Sequence, residues 1–424
     1  MLPRIRRIER SFLTSVAVVT GLVAGSTLPA QPSPVRGERV RTVVDTLPGA
    51  VGGVTVDRGG TIYVADFGEQ VFKVTPDGRV TVFATGLYGA SGNAIDPQGN
   101  LFQSNFWGNY ISRIDRQGRQ EVFAEGLNGP VGIAIEPDGG LVVCNCPANS
   151  LSRVTPQGRV TEFVASDLLS CPNGIARGPD GAFYVVNFRD ERMVKVTPDG
   201  KASEFARLPG GGNGHVTLAR GHLYATSFQG HRVYRVSMDG DVTLFAGTGA
   251  RGEANGPALE ATFSWPNGIA AGPQGDRLFV NDFLNRFPPT VEAPPAPLSA
   301  LRQITLETFA SVLAAALRRG GIDDMRRAYR EWTEAPATAN VFTEVEVNAL
   351  GYQLMGSGRL DAALVVFELN ADSYPQSFNV WDSWGEAHVQ AGNTERAIEL
   401  YEKSLELNPA NQNAADMLKR LRGS

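Results

Sequence analysis

Short runs of alternating apolar and polar residues recur through most of the chain. In the first of these units, the alternating and β-branched residues predict four strands, at 53–56, 61–67, 71–75 and 79–83. Pro-Asp-Gly and Pro-Gln-Gly triplets, which are typical of tight turns, lie between the strands. Each unit therefore has the pattern of a small antiparallel sheet.

The unit repeats about every 40 residues. A turn glycine recurs at spacings of 40, 40, 42 and 40 residues, at Gly78, Gly118, Gly158, Gly200 and Gly240. A phenylalanine keeps the same step, at Phe83, Phe123, Phe163, Phe205 and Phe245. A second turn glycine recurs at Gly60, Gly99, Gly139, Gly181, Gly221 and Gly275. Its last spacing is 54 residues, which indicates an insertion. A four-stranded unit of this length predicts a β-propeller blade, which buries its faces by stacking on its neighbours.

The number of strands predicts six blades and the way in which the ring closes. The second and third strands of the unit each occur six times, the last third strand at 299–306. The outermost strand occurs only five times before a helical pattern begins. Residues 39–44 have the composition of the missing strand, so we expect them to pair with the last blade and remove its exposed edge. The fold is thus predicted to be mainly β: a six-bladed propeller at 39–308, closed by its N-terminal strand.

A helical pattern replaces the strands after residue 306. Residues 309–339 form a connecting segment, in which 309–319 and 323–332 predict amphipathic helices. In 340–424 a second repeat has a period of 34 residues, at Leu350/Trp384, Gly351/Gly385, Leu354/His388, Ala363/Ala397, Phe367/Tyr401 and Pro375/Pro409. This period predicts a C-terminal α-helical domain of tetratricopeptide type, and such a domain favours an unidentified protein partner.

The first thirty residues differ from the rest. Arginines precede an apolar run at 12–24, and small residues follow at 28–30, which predicts a secretory signal peptide over 1–30. An uncleaved anchor is the alternative, but the run is short for a span of about 20 residues. We expect an exported protein, periplasmic or extracellular, without a membrane span after cleavage. The net charge of −5 gives no sign of a nucleic-acid surface.

The segment around the insertion resembles a known repeat. Residues 245–249, 255–258 and 265–270 read Phe-Ala-Gly-Thr-Gly, Asn-Gly-Pro-Ala and Trp-Pro-Asn-Gly-Ile-Ala, which looks like the NHL repeat. Over roughly residues 40–312 the domain is similar to the gluconolactonase (senescence-marker-protein) group of six-bladed propellers. The segment also contains Gly247-x-Gly249-x-x-Gly252, formally a dinucleotide motif, but no helix follows it, so we interpret it as a loop between blades.

The resemblance implies a site at the mouth of the central channel. The gluconolactonase group places its divalent-metal ligands, one Glu, two Asn and one Asp, just before innermost strands. The six positions in this chain are Gly52, Ser91, Val131, Asn173, Asn213 and Asn267. The resemblance implies Asn173, Asn213 and Asn267 as metal ligands and a divalent cation such as Ca²⁺ as the cofactor. Asn-Gly is also typical of left-handed turns, so a purely structural role stays open.

The chain departs from the group at its charged positions. Gly52 stands where the Glu is expected, and no Asp occupies any of the six positions. Hard cations prefer oxygen ligands that include negative charge, so this ring predicts weak Ca²⁺ binding. Asp66 and Asp282, in the loops after second strands, restore the charge if they reach the channel; the matching places hold Asn105, Asn145 and Asn187.

His215 and the three cysteines complete the candidate chemistry. His215 adjoins Asn213 and is the candidate acid–base residue. Export favours a disulfide, and the loops that carry Cys146 and Cys171 are expected to be neighbours on one rim. Cys144 is then left as a buried thiol, and a three-cysteine metal site is the alternative.

Two functions fit these features. The first is an exported binding or scaffold protein, whose channel mouth binds a small ligand or partner and whose helical tail binds protein. The channel-mouth candidates are Ser91, Asn173, Asn213, His215, Asn267, Asp66 and Asp282. The alternative is a metal-dependent, lactonase-like hydrolase on the same rim. The missing charged ligands favour the first.

Overall fold

The computed structural model of the protein describes residues 38–284, 297–334 and 343–423. The first strand of the described residues is β1 (Arg39–Pro48), and four-stranded antiparallel blades follow. Blades 1 and 2 are β2 (Val54–Val56), β3 (Ile62–Ala65), β4 (Val71–Val74), β5 (Val80–Ala84) and β6 (Ala90–Ile95), β7 (Leu101–Asn105), β8 (Tyr110–Ile114), β9 (Gln120–Glu125). Blades 3 and 4 are β10 (Pro130–Ile135), β11 (Leu141–Asn145), β12 (Ser150–Val154), β13 (Val160–Ala165) and β14 (Pro172–Arg177), β15 (Phe183–Asn187), β16 (Arg192–Val196), β17 (Ala202–Arg207).

Blade 5 consists of β18 (Asn213–Ala219), β19 (His222–Ser227), β20 (Arg232–Val236) and β21 (Val242–Ala246). Blade 6 combines the two ends of the domain. Its strands are β22 (Gly256–Pro257), β23 (Pro266–Ala271), β24 (Arg277–Leu284) and β25 (Leu298–Thr305), together with β1. The predicted mainly β fold with six blades is confirmed.

Closure of the ring by the N-terminal strand is also confirmed. β1 runs antiparallel to β25, with Arg39 opposite Thr305 and Pro48 opposite Leu298. It is longer than the predicted 39–44, because pairing continues to Pro48 through an irregular register after Thr42. β22, in the loop between blades 5 and 6, pairs with the other side of β1. Both sides of the closing strand are therefore hydrogen-bonded.

The two periodic signals of the sequence have different physical causes. The turn glycines Gly78 and Gly118 have φ values of 85° and 81°, a left-handed conformation that favours glycine. The recurring phenylalanine packs edge-on against an aromatic ring of the second strand, at centroid distances of 4.8–5.0 Å in four blades. These pairs are Phe83–Tyr63, Phe123–Phe102, Phe205–Tyr184 and Phe245–Tyr224.

Helices follow the propeller. They are α1 (Phe309–Glu334), α2 (Glu344–Gly356), α3 (Leu360–Ser373), α4 (Phe378–Gln390), α5 (Thr394–Leu407) and α6 (Gln412–Arg422). A break at Gly320 and Gly321 divides α1 into two helices, and it lies in the gap at 320–322 between the two predicted helices. α2 with α3 and α4 with α5 form two helical hairpins, and α6 packs on α5. The described residues contain no helix that is long and apolar enough to span a membrane.

Small residues let the helices of each hairpin approach closely. A Cβ on Gly351 would lie 2.5 Å from the ring of Phe367, and one on Gly385 would lie 3.2 Å from the ring of Tyr401. α1 completes the helical stack, since Phe309 and Met325 share a buried cluster with Val347 of α2. The repeated Gly and aromatic positions therefore mark the contact between paired helices.

The tail is joined to one face of the propeller. The lower rim is defined here by the turns between innermost and second strands, and the upper rim by the loops that lead into innermost strands and those that join second to third strands. Arg220, in the lower-rim turn between β18 and β19, forms an ion pair with Glu346 of α2. The signal peptide predicted at 1–30 and residues 288–296 of the proline-rich loop in the last blade lie outside the described residues.

Candidate functional site

A ring of glycines narrows the propeller axis. The innermost strand of every blade carries a glycine that faces the next blade, at Gly53, Gly92, Gly132, Gly174, Gly214 and Gly268. A Cβ at each position would lie 2.2–2.7 Å from a backbone atom of the neighbouring blade. The six candidate positions Gly52, Ser91, Val131, Asn173, Asn213 and Asn267 immediately precede these glycines. Side chains at the channel mouth therefore sit where adjacent backbones are in contact.

The side-chain amides of the asparagines join neighbouring chain segments. The Nδ2 of Asn173 donates to the carbonyl of Asn213 in the next blade at 3.1 Å. The Nδ2 of Asn267 donates at 2.8 Å to the carbonyl of Val51, which leads into blade 1. The Nδ2 of Asn213 donates to the carbonyl of Asp190 at 3.0 Å. Each amide thus bridges two blades.

Ser91 and His215 are buried near the same axis. Ser91 is 2% exposed, and its carbonyl accepts from the N–H of Gly53 at 2.8 Å. The backbone of His215 packs beside Gly174 of blade 4, and burial lowers the pKa of its imidazole to about 4. His215 is therefore neutral at physiological pH. Its Nε2 and the Oδ1 of Asn213 have no hydrogen-bond partner among the described residues.

Asp66 and Asp282 bind to their own loops and strands. The Oδ1 of Asp66 accepts from the N–H groups of Gly68 at 2.7 Å and Gln70 at 3.0 Å. The Oδ2 of Asp282 accepts from Arg302 at 3.0 Å, and both side chains are fully buried. Burial raises the pKa of each carboxyl above its ordinary value, against the lowering effect of these hydrogen bonds.

Asn105, Asn145 and Asn187, which occupy the matching positions, also hold the loops of the upper rim. The Oδ1 atoms of Asn105 and Asn145 accept from the N–H groups of Tyr88 and Asn128, at 2.8 and 3.2 Å. The Nδ2 of Asn187 donates to the carbonyl of Leu168 at 2.8 Å. These contacts order the loops that lead into the innermost strands.

Three further polar residues lie one position earlier in the second strands. Ser104 and Thr226 each donate at 2.6 Å to a carbonyl of the next blade, those of Val131 and Asn267. Asn281 donates to the carbonyl of Gly52 at 3.0 Å. The sequence pattern did not indicate these residues, although a small polar side chain in an otherwise apolar buried strand was a usable signal.

The residues at the axis do not fit the divalent cation that the fold group implies. The three asparagines use their Nδ2 donors on backbone carbonyls, so they offer a cation only neutral amide oxygens, such as the Oδ1 of Asn213. The two aspartates accept hydrogen bonds within their own loops and strands. A hard cation requires several oxygen ligands with negative charge among them. Within the described ranges, no group of three or more His, Cys, Asp or Glu side chains is placed to hold a metal. No chemical step is therefore derived through a metal at this site.

An aromatic collar surrounds the upper rim. It consists of one phenylalanine at or just after the end of the second strand in each of five blades, together with one tryptophan: Phe67, Phe106, Phe188, Phe228, Phe283 and Trp265. Adjacent rings in it have centroid separations of 5.7–6.2 Å. The guanidinium of Arg251 lies 3.9 Å above Trp265. Most of these rings are partly exposed, so the rim combines apolar surface with a cation.

In blade 3, the remaining blade, a disulfide stands where the other five blades have a phenylalanine. It joins Cys146, the residue that follows the second strand of blade 3, to Cys171, which precedes β14. Phe106 and Val131 are buried against the bridge. Cys144 is a free, fully buried thiol, and burial raises its pKa.

The tail presents a second polar surface, here called the inner surface: Tyr352 of α2, Asp382, Ser383 and Glu386 of α4, and Asn413 of α6. The hydroxyl of Tyr352 donates to Glu386 at 2.8 Å and is hydrogen-bonded to the hydroxyl of Ser383 at 3.2 Å. The Nδ2 of Asn413 donates to Asp382 at 2.8 Å. Polar side chains of three helices therefore meet on one face of the repeat.

Comparisons with known proteins agree with this division into two parts. The tetratricopeptide repeat model matches residues 378–411. No curated protein matches the chain. A gluconolactonase from Xanthomonas campestris is 20% identical, with 65% of this chain and 91% of that one covered and a TM-score of 0.51. A protein of unknown function from Bacteroides thetaiotaomicron is 16% identical, with coverages of 64% and 76% and a TM-score of 0.54.

A calcium-binding regucalcin from Agrobacterium tumefaciens is similar as well, at 20% identity over 64% of this chain and 95% of that one, with a TM-score of 0.48. At these identities the likeness shows the fold alone. The expected six-bladed propeller is confirmed, its fold is similar to that of the gluconolactonase, and the tetratricopeptide model matches part of the predicted tail.

Proposed function

We propose that this chain is an exported scaffold protein that binds a protein partner through the inner surface of its tail. The observation that carries the proposal is the hydrogen-bonded face formed by Tyr352, Glu386 and Asn413, which come from the alternate helices α2, α4 and α6. Tetratricopeptide repeats suggest protein–protein interaction, and stacked helical repeats bind through extended surfaces of this kind. Glu386 is exposed on this face and accessible to a partner.

The propeller supplies a second binding surface in this proposal. The tail is attached at the lower rim through Arg220, whereas the aromatic collar lies on the upper rim. Partly exposed rings such as Phe228 and Trp265, with Arg251 beside them, offer apolar and cationic contacts to a small ligand or a second partner. One chain would then hold two molecules on opposite faces.

Export is the third element of the proposal. The N-terminal pattern of residues 1–30 motivates it, and the disulfide between Cys146 and Cys171 supports it, because such bonds persist mainly in oxidising compartments. A fusion of residues 1–37 to an alkaline phosphatase reporter, which is active only after export, tests this element. An inactive fusion would contradict it.

The metal-dependent hydrolase alternative is not favoured. The side-chain amides of Asn173 and Asn267 donate hydrogen bonds to the next blade, and burial keeps His215 neutral. Calorimetric titration with Ca²⁺, together with an assay on a panel of lactones, checks this point. Stoichiometric Ca²⁺ binding that disappears in Asn173→Ala would revive the alternative.

Site-specific photo-crosslinking tests the scaffold proposal. A photo-reactive amino acid replaces Gln390, which is exposed on the same face of α4 as Glu386, or Glu399 on the outer helix α5 of the full chain. We expect discrete adducts with a cell-envelope protein from position 390 and none from position 399. Identical adduct patterns from the two positions would argue against the inner surface as the binding face.

A further inference from the structure

Two carboxylates lie one helical turn apart on the inner surface of the tail. Asp382 is 9% exposed, and its two oxygens accept from the amides of Asn411 and Asn413, both at 2.8 Å. Glu386 is exposed and accepts from the hydroxyl of Tyr352. Neither carboxylate forms an ion pair with a residue that the structure describes. The side chains that donate hydrogen bonds to these two carboxylates are neutral.

A buried hydroxyl points to the same place. Tyr401 of α5 is 0% exposed, and its Oη has no hydrogen-bond partner among the described residues. Its ring packs against α4 at Gly385, a residue that lies between Asp382 and Glu386 in the sequence. Burial is the main cause that raises the pKa of Tyr401. The pKa is raised further by Asp382, Glu386 and Tyr352 and is lowered by Arg420. The hydroxyl therefore lies against α4, beside the segment that carries the two carboxylates.

We propose that this cluster binds a lysine or arginine side chain of the protein partner, so that the inner surface recognises a basic peptide segment. An ammonium or guanidinium group brings several N–H donors and a positive charge, which match two carboxylates and an unpartnered hydroxyl oxygen. Residues 343–424 carry 12 acidic and 6 basic side chains, a net charge of 6 − 12 = −6, which favours the approach of a basic segment. The inference rests on the proposed scaffold function and specifies the chemistry of its partner.

The test uses the full chain and a fluorescent peptide that is acetylated, amidated and contains two lysines in an Ala/Gly background. Matched peptides carry norleucine or glutamate instead of lysine. Binding is measured by fluorescence anisotropy at low and at physiological salt. We expect the lysine peptide to bind and both matched peptides to bind at least about tenfold more weakly.

Variants of the tail separate a specific site from general attraction to an acidic domain. The double variant Asp382→Asn/Glu386→Gln is expected to weaken binding of the lysine peptide by about tenfold or more. Glu395→Gln/Glu399→Gln makes the same change in charge on exposed positions of α5 and is expected to change it by less than about twofold. Glu386→Gln alone, at an exposed position, provides a well-folded second variant with a smaller loss in the same direction.

Three results would overturn the inference: no binding of the lysine peptide, equal losses in the two double variants, or equal binding of the norleucine peptide. The scaffold proposal is judged separately by the photo-crosslinking. A partner that crosslinks at position 390 but is insensitive to both carboxylates would leave that proposal standing and remove this one.

Discussion

Arg220 and Glu346 form the ion pair that holds the first tetratricopeptide helix against the propeller, with 2.7 Å between Nη2 and Oε2. The two side chains are only 11% and 13% exposed. The Nε of Arg220 also donates to the carbonyl of Gly275 in blade 6, and Glu346 accepts from the N–H of Ala310 at the start of α1. One contact therefore connects two blades and two helices.

Removal of one partner of this pair should loosen the tail. Arg220→Ala leaves the Glu346 carboxylate buried without its cation, and such losses cost about 3 kcal/mol. We expect a lower midpoint of thermal unfolding and faster proteolytic release of a tail fragment. Lys403→Ala, which breaks an exposed pair with Glu406, is the control and should cost less than about 1 kcal/mol. Equal effects of the two substitutions would show that the Arg220 pair does not hold the tail.

The glycine ring should not tolerate side chains. In Gly132→Ala the new Cβ lies 2.4 Å from the carbonyl oxygen of Asn173, so the strands must separate. We expect a loss of roughly 1–3 kcal/mol or more in the free energy of unfolding, measured by chemical denaturation. Gly356→Ala meets no atom within 4 Å and serves as the control, with a change of less than about 1 kcal/mol. Wild-type stability of Gly132→Ala would contradict this packing.

Alkylation followed by mass spectrometry should distinguish the three cysteines. In the native, unreduced protein we expect no label, because Cys146 and Cys171 are bonded and Cys144 is buried with a raised pKa. Denaturation without reductant should give one label, and denaturation with reductant three. Three labels before reduction would disprove the disulfide. Cys146→Ser/Cys171→Ser should lower stability by about 2–4 kcal/mol.

Glu38 should make stability depend on pH. Burial raises its pKa from 4.5 to about 7, Arg235 opposes this shift and Glu307 adds to it. The folded protein then holds a proton that the unfolded chain has lost, so stability falls as pH rises from about 4.5 to 7 and is level above that.

Glu38→Gln should remove this part of the pH dependence. As pH rises from 5 to 7.5, the parent should lose about 1–3 kcal/mol more unfolding free energy than Glu38→Gln does. Denaturant titrations at the two pH values measure the difference, and the exposed substitution Glu125→Gln is the control. Parallel pH profiles of Glu38→Gln and the parent would rule out a shifted Glu38.

The regular parts of the fold were readable in the sequence because local chemistry determines them. Gly78 requires a left-handed turn, Phe83 recurs because it packs on a ring within its own blade, and Gly320–Gly321 interrupts a helix. The closing strand at Arg39 followed from counting strands. Each of these features depends on neighbours within one unit or on the number of units.

The site was less predictable because its contacts cross between units. The position of Asn173 was evident, but the direction of its amide is set by a carbonyl 40 residues away. The sequence placed His215 next to Asn213 but gave no sign of its burial, nor that Asp66 and Asp282 accept hydrogen bonds within their own blades. Arg220 and Glu346 are 126 residues apart and belong to different repeats. No periodic signal records such a pair.

The closing strand also sets an order of events during synthesis. β1 is made before the other described strands, but its partner β25 ends at Thr305. Until that residue is available, the N-terminal strand and the last blade both keep open edges that can pair with other chains. A chain that stops before Leu298 can fold blades but cannot complete the ring. The propeller therefore matures only when the segment next to the helical tail has been made.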